Sequence, residues 1–125
     1  NETKVTDDLY KYIYKVTNNK IILEEYHLVD NHLMSITTLN LNDLWDVYFT
    51  KKSGFRKDYL SLKTYGKKIN VESYTYDEKK NEVQKTDLLS LYFDFDAEPG
   101  LQNKMQKAFS NIALENVKNM PTETY

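Results

Sequence analysis

The stretch that decides the fold covers residues 88–114 and reads LLSLYFDFDAEPGLQNKMQKAFSNIAL. Apolar side chains stand at every second position from Leu89 to Phe95, which is the period of a strand with one buried face. From residue 101 onward, apolar residues recur at the spacing of an amphipathic helix, which we expect over residues 99–114. The apolar stripe of that helix consists of Leu101, Met105, Ala108, Phe109 and Ile112. The last third of the chain is therefore predicted to be a strand followed by one helix.

Acidic residues stand between this strand and the helix, at Asp94, Asp96 and Glu98. We expect Asp96 or Glu98 to cap the first helical turn, because carboxylates accept hydrogen bonds from its free amides. Pro99 fits the first turn because its missing N–H would be unpaired there anyway. Carboxylates near a glycine also fit calcium, but the ligand spacing of an EF-hand is absent. Capping is therefore the preferred interpretation.

Short alternating segments separated by turn residues precede the helix and predict antiparallel strands. We expect seven strands, over residues 10–16, 20–29, 32–39, 45–50, 59–64, 69–76 and 83–95. Residues 1–8 are polar and show no period, so they are predicted to be a flexible lead-in. Residues 9–114 then form a single mainly β (α+β) domain, and residues 115–125 form a polar tail.

This order of elements over residues 9–114, seven strands and one C-terminal helix, resembles the pleckstrin-homology-like (PH-like) superfold. The resemblance implies a seven-stranded antiparallel, partly open barrel that is capped at one end by the C-terminal helix. It also implies that four side chains of the stripe point inward, namely Leu101, Met105, Phe109 and Ile112. The chain is similar, too, to small exported bacterial proteins of this shape whose role is unknown.

Two ligand modes of PH-like proteins bear on function. Phosphoinositide-binding relatives use a basic loop between the first two strands, whereas residues 17–20 here read TNNK and are nearly neutral. Phosphotyrosine-binding relatives hold a peptide as an added strand beside the helix, a mode that needs a backbone edge more than particular side chains. The lipid-head-group mode therefore loses its main support, and the peptide mode stays open.

The composition bounds the class of protein. With 125 residues, 40% of them hydrophobic, the chain is long enough for one packed domain. A net charge of −2 argues against a nucleic-acid partner. The absence of cysteine excludes disulfides, a thiol nucleophile and a cysteine-ligated metal site. Purely apolar runs are too short to span a membrane, and the three glycines are too far apart for a phosphate-binding loop.

The strongest charge cluster lies in residues 51–68, where basic side chains are opposed by Asp58 alone. The loops on either side of the predicted strand 59–64 are expected to gather these charges at one end and to attract an anionic partner. The candidate anion- or partner-binding residues are Lys51, Lys52, Arg56, Lys57, Lys67 and Lys68. A pair of solvated loops without a ligand is the preferred alternative. Most of these residues are lysines, and lysine cannot bind a phosphate through two parallel N–H donors as arginine does.

Two histidines and a carboxylate flank a predicted hairpin turn, at His27, Asp30 and His32. They would supply three metal ligands, but no fourth ligand is visible in the sequence. Exposed turn residues are therefore the preferred interpretation.

Aromatic residues form a further candidate surface. Tyr10, Tyr12 and Tyr14 share one face of a predicted strand, and with Trp45 they fit a sugar- or peptide-binding face. Packing is the commoner reason for aromatic residues in strands, so no aromatic site is assigned.

These observations predict a non-enzymatic interaction or scaffold module with no catalytic residue, no cofactor and no metal. The alternative is a binder of an anionic lipid, a small ligand or a peptide, through the basic loops of residues 51–68 or a strand edge beside the C-terminal helix. An enzyme with an unrecognised site is the third and least favoured class. We expect a protein or peptide partner, no nucleic acid and no membrane span.

The first residue, Asn1, is not a methionine, and we expect an exported protein, periplasmic, outer-surface or secreted. A signal peptide, a lipoprotein leader and a chain boundary of another origin stay open as explanations for this start.

Overall fold

The computed structural model of the protein describes residues 2–6, 9–51, 58–93, 95 and 97–120. Within them the chain forms nine strands, one short 3₁₀ turn and one C-terminal helix. The strands are β1 (Glu2–Thr6), β2 (Tyr10–Thr17), β3 (Lys20–His27), β4 (Leu33–Asn40), β5 (Leu44–Thr50), β6 (Tyr59–Thr64), β7 (Ile69–Tyr74), β8 (Lys80–Thr86) and β9 (Leu88–Tyr92). The 3₁₀ turn covers Leu41–Asp43, and the helix α1 covers Leu101–Lys118.

All the strand pairs are antiparallel and they form two sheets. The large sheet has the order β1-β2-β3-β4-β7-β8, and the small sheet has the order β5-β6-β9. The chain changes sheet three times: at the 3₁₀ turn after β4, at the turn after β6 and at Asp87 between β8 and β9. The registers place all three crossings at the same end of the strands. The two sheets are therefore joined along one edge of the molecule.

Residues that tolerate positive φ angles make the tight turns. Asn18 and Asn19 adopt φ angles of 47° and 64° between β2 and β3, as a two-residue hairpin turn requires. Gly66, at a φ of 76°, turns the chain after β6, and its carbonyl accepts a hydrogen bond from Thr64 Oγ1 at 2.6 Å. The predicted strand bounds leave a turn at each of these places, and the structure confirms both turns.

The core lies between the two sheets and under the helix. Leu60 and Leu62 of β6, the central strand of the small sheet, are completely buried. Ile21 and Leu39 contribute buried side chains from the large sheet. These positions belong to the alternating segments of the sequence, so the buried faces of the strands follow the predicted pattern.

The helix lies along β5 and the 3₁₀ turn, where a side-chain amide fixes it. Asn116 Nδ2 donates to the backbone oxygen of Leu41 at 2.7 Å and to that of Leu44 at 2.8 Å. This docking decides which face of α1 is covered. Ala113 is buried, whereas Ala108, which was predicted to belong to the stripe, is exposed.

Nine strands replace the seven that were predicted, and the prediction of a flexible lead-in is wrong for Glu2–Thr6, which pairs with β2. It failed because β1 carries one apolar residue and is mostly exposed, so its sequence shows no clear period. The predicted strand 83–95 is in fact two strands in different sheets, separated by Asp87. The described strands do not close into a barrel, because β1 and β8 are the edges of the large sheet.

The helix begins later and ends later than predicted, and its cap differs. Its N-cap is Gly100, at a φ of 86°, which has no side chain to accept a hydrogen bond. Pro99 lies before the helix, and Glu98 contributes its backbone oxygen, which accepts from Leu101 N at 3.1 Å. The predicted cap by Glu98 is therefore wrong, and Asp94 and Asp96 lie outside the described residues. At the other end, the predicted tail is helical as far as Lys118.

None of the described helical segments is both long and apolar enough to cross a membrane.

Candidate functional site

A cleft of about 750 Å³ opens between β1 and the N-terminal half of α1. Its floor is apolar and includes Leu91 of β9 and Phe93, which follows that strand. Its far wall is part of the helix stripe, formed by Leu101, Met105 and Phe109. These three side chains are partly buried against the core. These side chains therefore pack against the core and also line the cleft.

The strand β1 borders the cleft with its edge. Four consecutive residues, Thr3 to Thr6, line the cleft. Because successive side chains point to opposite faces of a strand, consecutive residues line one cleft only where the cleft follows the strand edge. β1 is the first strand in the order of the large sheet and pairs with β2 on its other side. The cleft therefore presents main-chain groups as well as side chains.

The pairing register shows which main-chain groups these are. Leu28 N donates to Leu9 O at 2.9 Å, and this pair continues the β2–β3 register by one residue. Every second residue of β2, counted from Leu9, therefore forms its main-chain hydrogen bonds with β3. The intervening residues of β2 bond to β1, and their partners there are Thr3 and Val5. The N–H and C=O of Lys4 therefore point away from β2 and toward the cleft. Among the residues that the structure describes, these two groups have no hydrogen-bond partner.

Tyr14 ties the floor of the cleft to the small sheet. Its side chain is 4% exposed, and its ring stacks on Phe93 with centroids 4.9 Å apart. The hydroxyl oxygen accepts a hydrogen bond from Tyr92 N at 3.0 Å. Burial raises the pKa of the Tyr14 hydroxyl well above its ordinary value, and the bond from Tyr92 offsets part of that rise. Tyr14 is therefore neutral at physiological pH and acts as a structural contact.

We expect Tyr14→Phe to lower the free energy of unfolding at pH 7 by about 1–2 kcal/mol, because the N–H of Tyr92 loses its acceptor in a buried site. The raised pKa adds a pH effect. The folded state keeps Tyr14 protonated, whereas in the unfolded chain the same hydroxyl ionises near pH 10, at about its ordinary pKa. Its contribution to stability is therefore complete below about pH 10 and is lost as the pH rises toward the folded-state pKa.

Urea unfolding between pH 7 and pH 11, followed by circular dichroism, measures both effects. The variant should be less stable at pH 7 and should lose stability less steeply above pH 10 than the unmodified protein. Tyr65→Phe is the matched control, because that ring is 66% exposed. If the free energy of unfolding falls with pH equally steeply in the two variants above pH 10, the assignment of a raised pKa to Tyr14 is contradicted.

The tyrosines of β2 contact one another and their neighbours. The centroids of Tyr10 and Tyr12 are 6.3 Å apart, and Tyr12 stacks beside Tyr92 at 6.1 Å. Trp45 is not part of this row, since its ring lies 5.0 Å from that of Tyr65. The rings of β2 thus pack on each other and on the small sheet, in agreement with the preference for packing over an aromatic site.

The candidate basic residues are not brought together at one end. Lys51 follows β5, whereas Lys67 and Lys68 follow β6. Because β5 and β6 are antiparallel, these loops lie at opposite ends of the hairpin, separated by a strand of six residues, which spans about 20 Å. The expectation that both loops converge is therefore wrong for these three lysines. The remaining candidates, Lys52, Arg56 and Lys57, lie outside the described residues, and anion binding there stays a prediction.

The turn between β3 and β4 is held by side-chain contacts. His27 Nδ1 lies 3.6 Å from Asp30 Oδ1, and His32 stacks on Tyr76 with centroids 4.6 Å apart. Tyr76 donates its hydroxyl to Asp30, and this bond lowers the pKa of the Asp30 carboxyl. Across the described part of the chain, no group of three or more His, Asp or Glu residues is arranged to hold a metal ion.

Sequence reasoning missed β1, and with it the cleft. The available signal was that Thr3, Val5 and Thr6 are β-branched, which favours a strand. Composition alone could not show that this strand lies beside the helix, because that neighbourhood depends on the pairing of β1 with β2.

Comparison of the chain with protein-family models, with curated proteins and with solved structures found no match.

Proposed function

We propose that the protein is a non-enzymatic interaction module that binds an extended segment of a partner protein by adding it as a strand to β1. The observation that carries the proposal is that the outward N–H and C=O of Lys4 lie beside the apolar stripe of α1. A peptide in the cleft would bond to the backbone of β1 while every second side chain packs against the helix.

The cleft has both components that this binding mode needs. Main-chain hydrogen bonds supply affinity that does not depend on the partner's sequence, and pockets for alternate side chains supply selectivity. Here the edge of β1 supplies the bonds, and Leu101, Met105 and Phe109 supply an apolar wall. Most of the remaining lining is also apolar, so side chains that leave water there would gain burial energy.

The resemblance to the PH-like superfold supports the same mode. In its phosphotyrosine-binding members, a peptide adds a strand beside the C-terminal helix. We propose that the two sheets and α1 are an open variant of that superfold, in which β1 offers the edge.

A small apolar ligand is the second candidate, because about 750 Å³ falls within the range of about 300–1,000 Å³ of small-molecule sites. The two candidate ligands differ in whether they form hydrogen bonds with the main chain of β1. An added strand protects the amide of Lys4 from hydrogen exchange, whereas a small apolar ligand has no acceptor for it.

The direct test uses a fluorescein-labelled nonapeptide of alternating valine and threonine. We expect saturable binding by fluorescence anisotropy and slower amide exchange at Lys4 in the complex. A second peptide, N-methylated at alternate residues on its pairing edge, keeps the side chains but loses the backbone donors. Equal binding of the two peptides would contradict strand addition and favour the small-ligand alternative.

The helix wall gives a matched pair of variants. Met105 lines the cleft, whereas Ala108, one turn further along α1, is exposed and does not line it. We expect Met105→Asp to raise the Kd for the valine–threonine peptide at least about tenfold, because a carboxylate replaces an apolar contact that is desolvated on binding. Ala108→Asp adds the same charge to the same helix and should change the Kd less than about twofold. If the two variants bind alike while both keep the wild-type circular dichroism spectrum, the cleft is not the binding site.

A further inference from the structure

We propose that the partner strand carries an acidic residue directly opposite Lys4, with apolar residues on both sides of it. This inference rests on the proposed function, strand addition at β1. It names the chemical class of the partner: an extended segment that alternates apolar and polar residues and has a carboxylate at its central polar position.

The register defines the position. An incoming residue that bonds to the N–H and C=O of Lys4 forms a pair with it, and paired residues in a sheet place their side chains on the same face. Lys4 pairs with Ile13 on its other side, so its side chain lies on the outer face of the large sheet, away from the core. The partner's side chain at this position is then the nearest cross-strand neighbour of the Lys4 ammonium group.

The charges around Lys4 favour a carboxylate there. On the same face, Lys15 Nζ lies 3.2 Å from Glu24 Oε1 and 4.0 Å from Glu2 Oε2, so its charge is already paired. Lys11 lies over the ring of Tyr26, 4.7 Å from the centroid. Lys4 is exposed and has no acidic partner among the described residues. Among the residues that the structure describes, Lys4 is therefore the positive charge that an added strand meets without a paired carboxylate.

The neighbouring positions of the partner strand face the other way. Their side chains point to the inner face, where Leu101, Met105 and Phe109 form the wall of the cleft. Apolar residues are favoured there, because a polar group would lose its water without gaining a partner. We place the added strand antiparallel to β1, like every strand pair that the structure describes.

In that orientation, the next polar position toward the C-terminus of the partner strand lies opposite Glu2. A second acidic residue at this position would be repelled, since like charges directly opposite each other destabilise a sheet. The preferred pattern is therefore apolar, acidic, apolar, and then neutral or basic.

The test compares two nonapeptides built on the valine–threonine probe, one with aspartate and one with lysine at the central polar position. At low salt, we expect the unmodified protein to bind the aspartate peptide about two- to fivefold more tightly than the lysine peptide. Lys4→Glu should reverse this order, and Lys4→Gln should abolish the difference. The preference should shrink at high salt, because the pair is exposed to solvent.

The outcomes separate this inference from the function on which it rests. If the threonine, aspartate and lysine peptides bind equally well to all three proteins, strand addition stands and the charge preference is overturned. If none of the peptides binds although every protein keeps the wild-type spectrum, strand addition at β1 is itself overturned. A preference for aspartate that Lys4→Glu does not change would place the carboxylate elsewhere and would also overturn the inference.

Discussion

Replacement of Leu62 by alanine is expected to lower the free energy of unfolding by about 3 kcal/mol, the largest single effect that we predict. Leu62 is completely buried in β6 and lies between Val47 of β5 and Leu89 of β9. The substitution removes three carbon atoms that contact both neighbouring strands. Because β6 is the central strand of the small sheet, these neighbours cannot move inward without breaking their ladders, so most of the cavity should persist.

Urea unfolding at pH 7, followed by the circular dichroism of the sheet, measures this loss. Leu114→Ala is the control, because it makes the same chemical change at a side chain that is 59% exposed. We expect a change of less than about 0.5 kcal/mol for the control. A loss of similar size in both variants would show that Leu62 is not at the centre of the core.

Substitution of Asn116 by aspartate is expected to lower the free energy of unfolding by about 2–3 kcal/mol at pH 7. The shape of the side chain is nearly unchanged, but both N–H donors are lost. The two carbonyl oxygens of Leu41 and Leu44 then face a carboxylate instead of a donor. The new charge also lies in the last turns of α1, where the helix dipole disfavours an anion.

The control and the pH dependence make this prediction specific. Asn111→Asp adds the same charge to an exposed position of the same helix and should have a much smaller effect. Below about pH 4 the introduced carboxyl gains a proton and can donate one hydrogen bond again, so the difference between Asn116→Asp and Asn111→Asp should narrow. A difference that stays constant from pH 7 to pH 3 would contradict the bonding scheme.

The sequence allowed the local features of the fold to be predicted where one residue type decides the backbone. Asn18, Asn19 and Gly66 mark their turns because they tolerate positive φ angles. The stripe of Leu101, Met105 and Phe109 predicts the helix because its spacing fits only that element. In each of these cases the signal lies within a few residues.

Features that depend on distant pairing could not be read in this way. β1 is stabilised by β2 and not by its own pattern, and an edge strand that is largely exposed needs few apolar residues. The break at Asp87 was missed because the backbone is extended on both sides of it, so the alternation hardly shows a change of sheet. The Gly100 cap was missed because the hydrogen bonds at the start of the helix join backbone atoms, and the sequence does not specify these bonds.

The candidate site, too, could be predicted only in those features that do not depend on distant strand pairing. A strand edge beside the C-terminal helix was one of the predicted alternatives, whereas its position at β1 required the structure. The basic loops were predicted as a candidate site because charged residues can be identified from the sequence alone. The distance between Lys51 and Lys67 depends on the direction of β5 and β6, and that direction became clear only from the register.

The two walls of the cleft come from distant parts of the chain, residues 3–6 and residues 101–109. A ribosome makes a protein from its N-terminus, so β1 emerges before α1. Until α1 has folded onto β5, the edge of β1 has no apolar wall beside it, and a nascent chain cannot hold a partner segment by this mode. The proposed binding mode therefore requires synthesis of the chain as far as α1. In the proposed mode, a partner segment would stabilise the folded state, because it would bind the native chain and not the unfolded one.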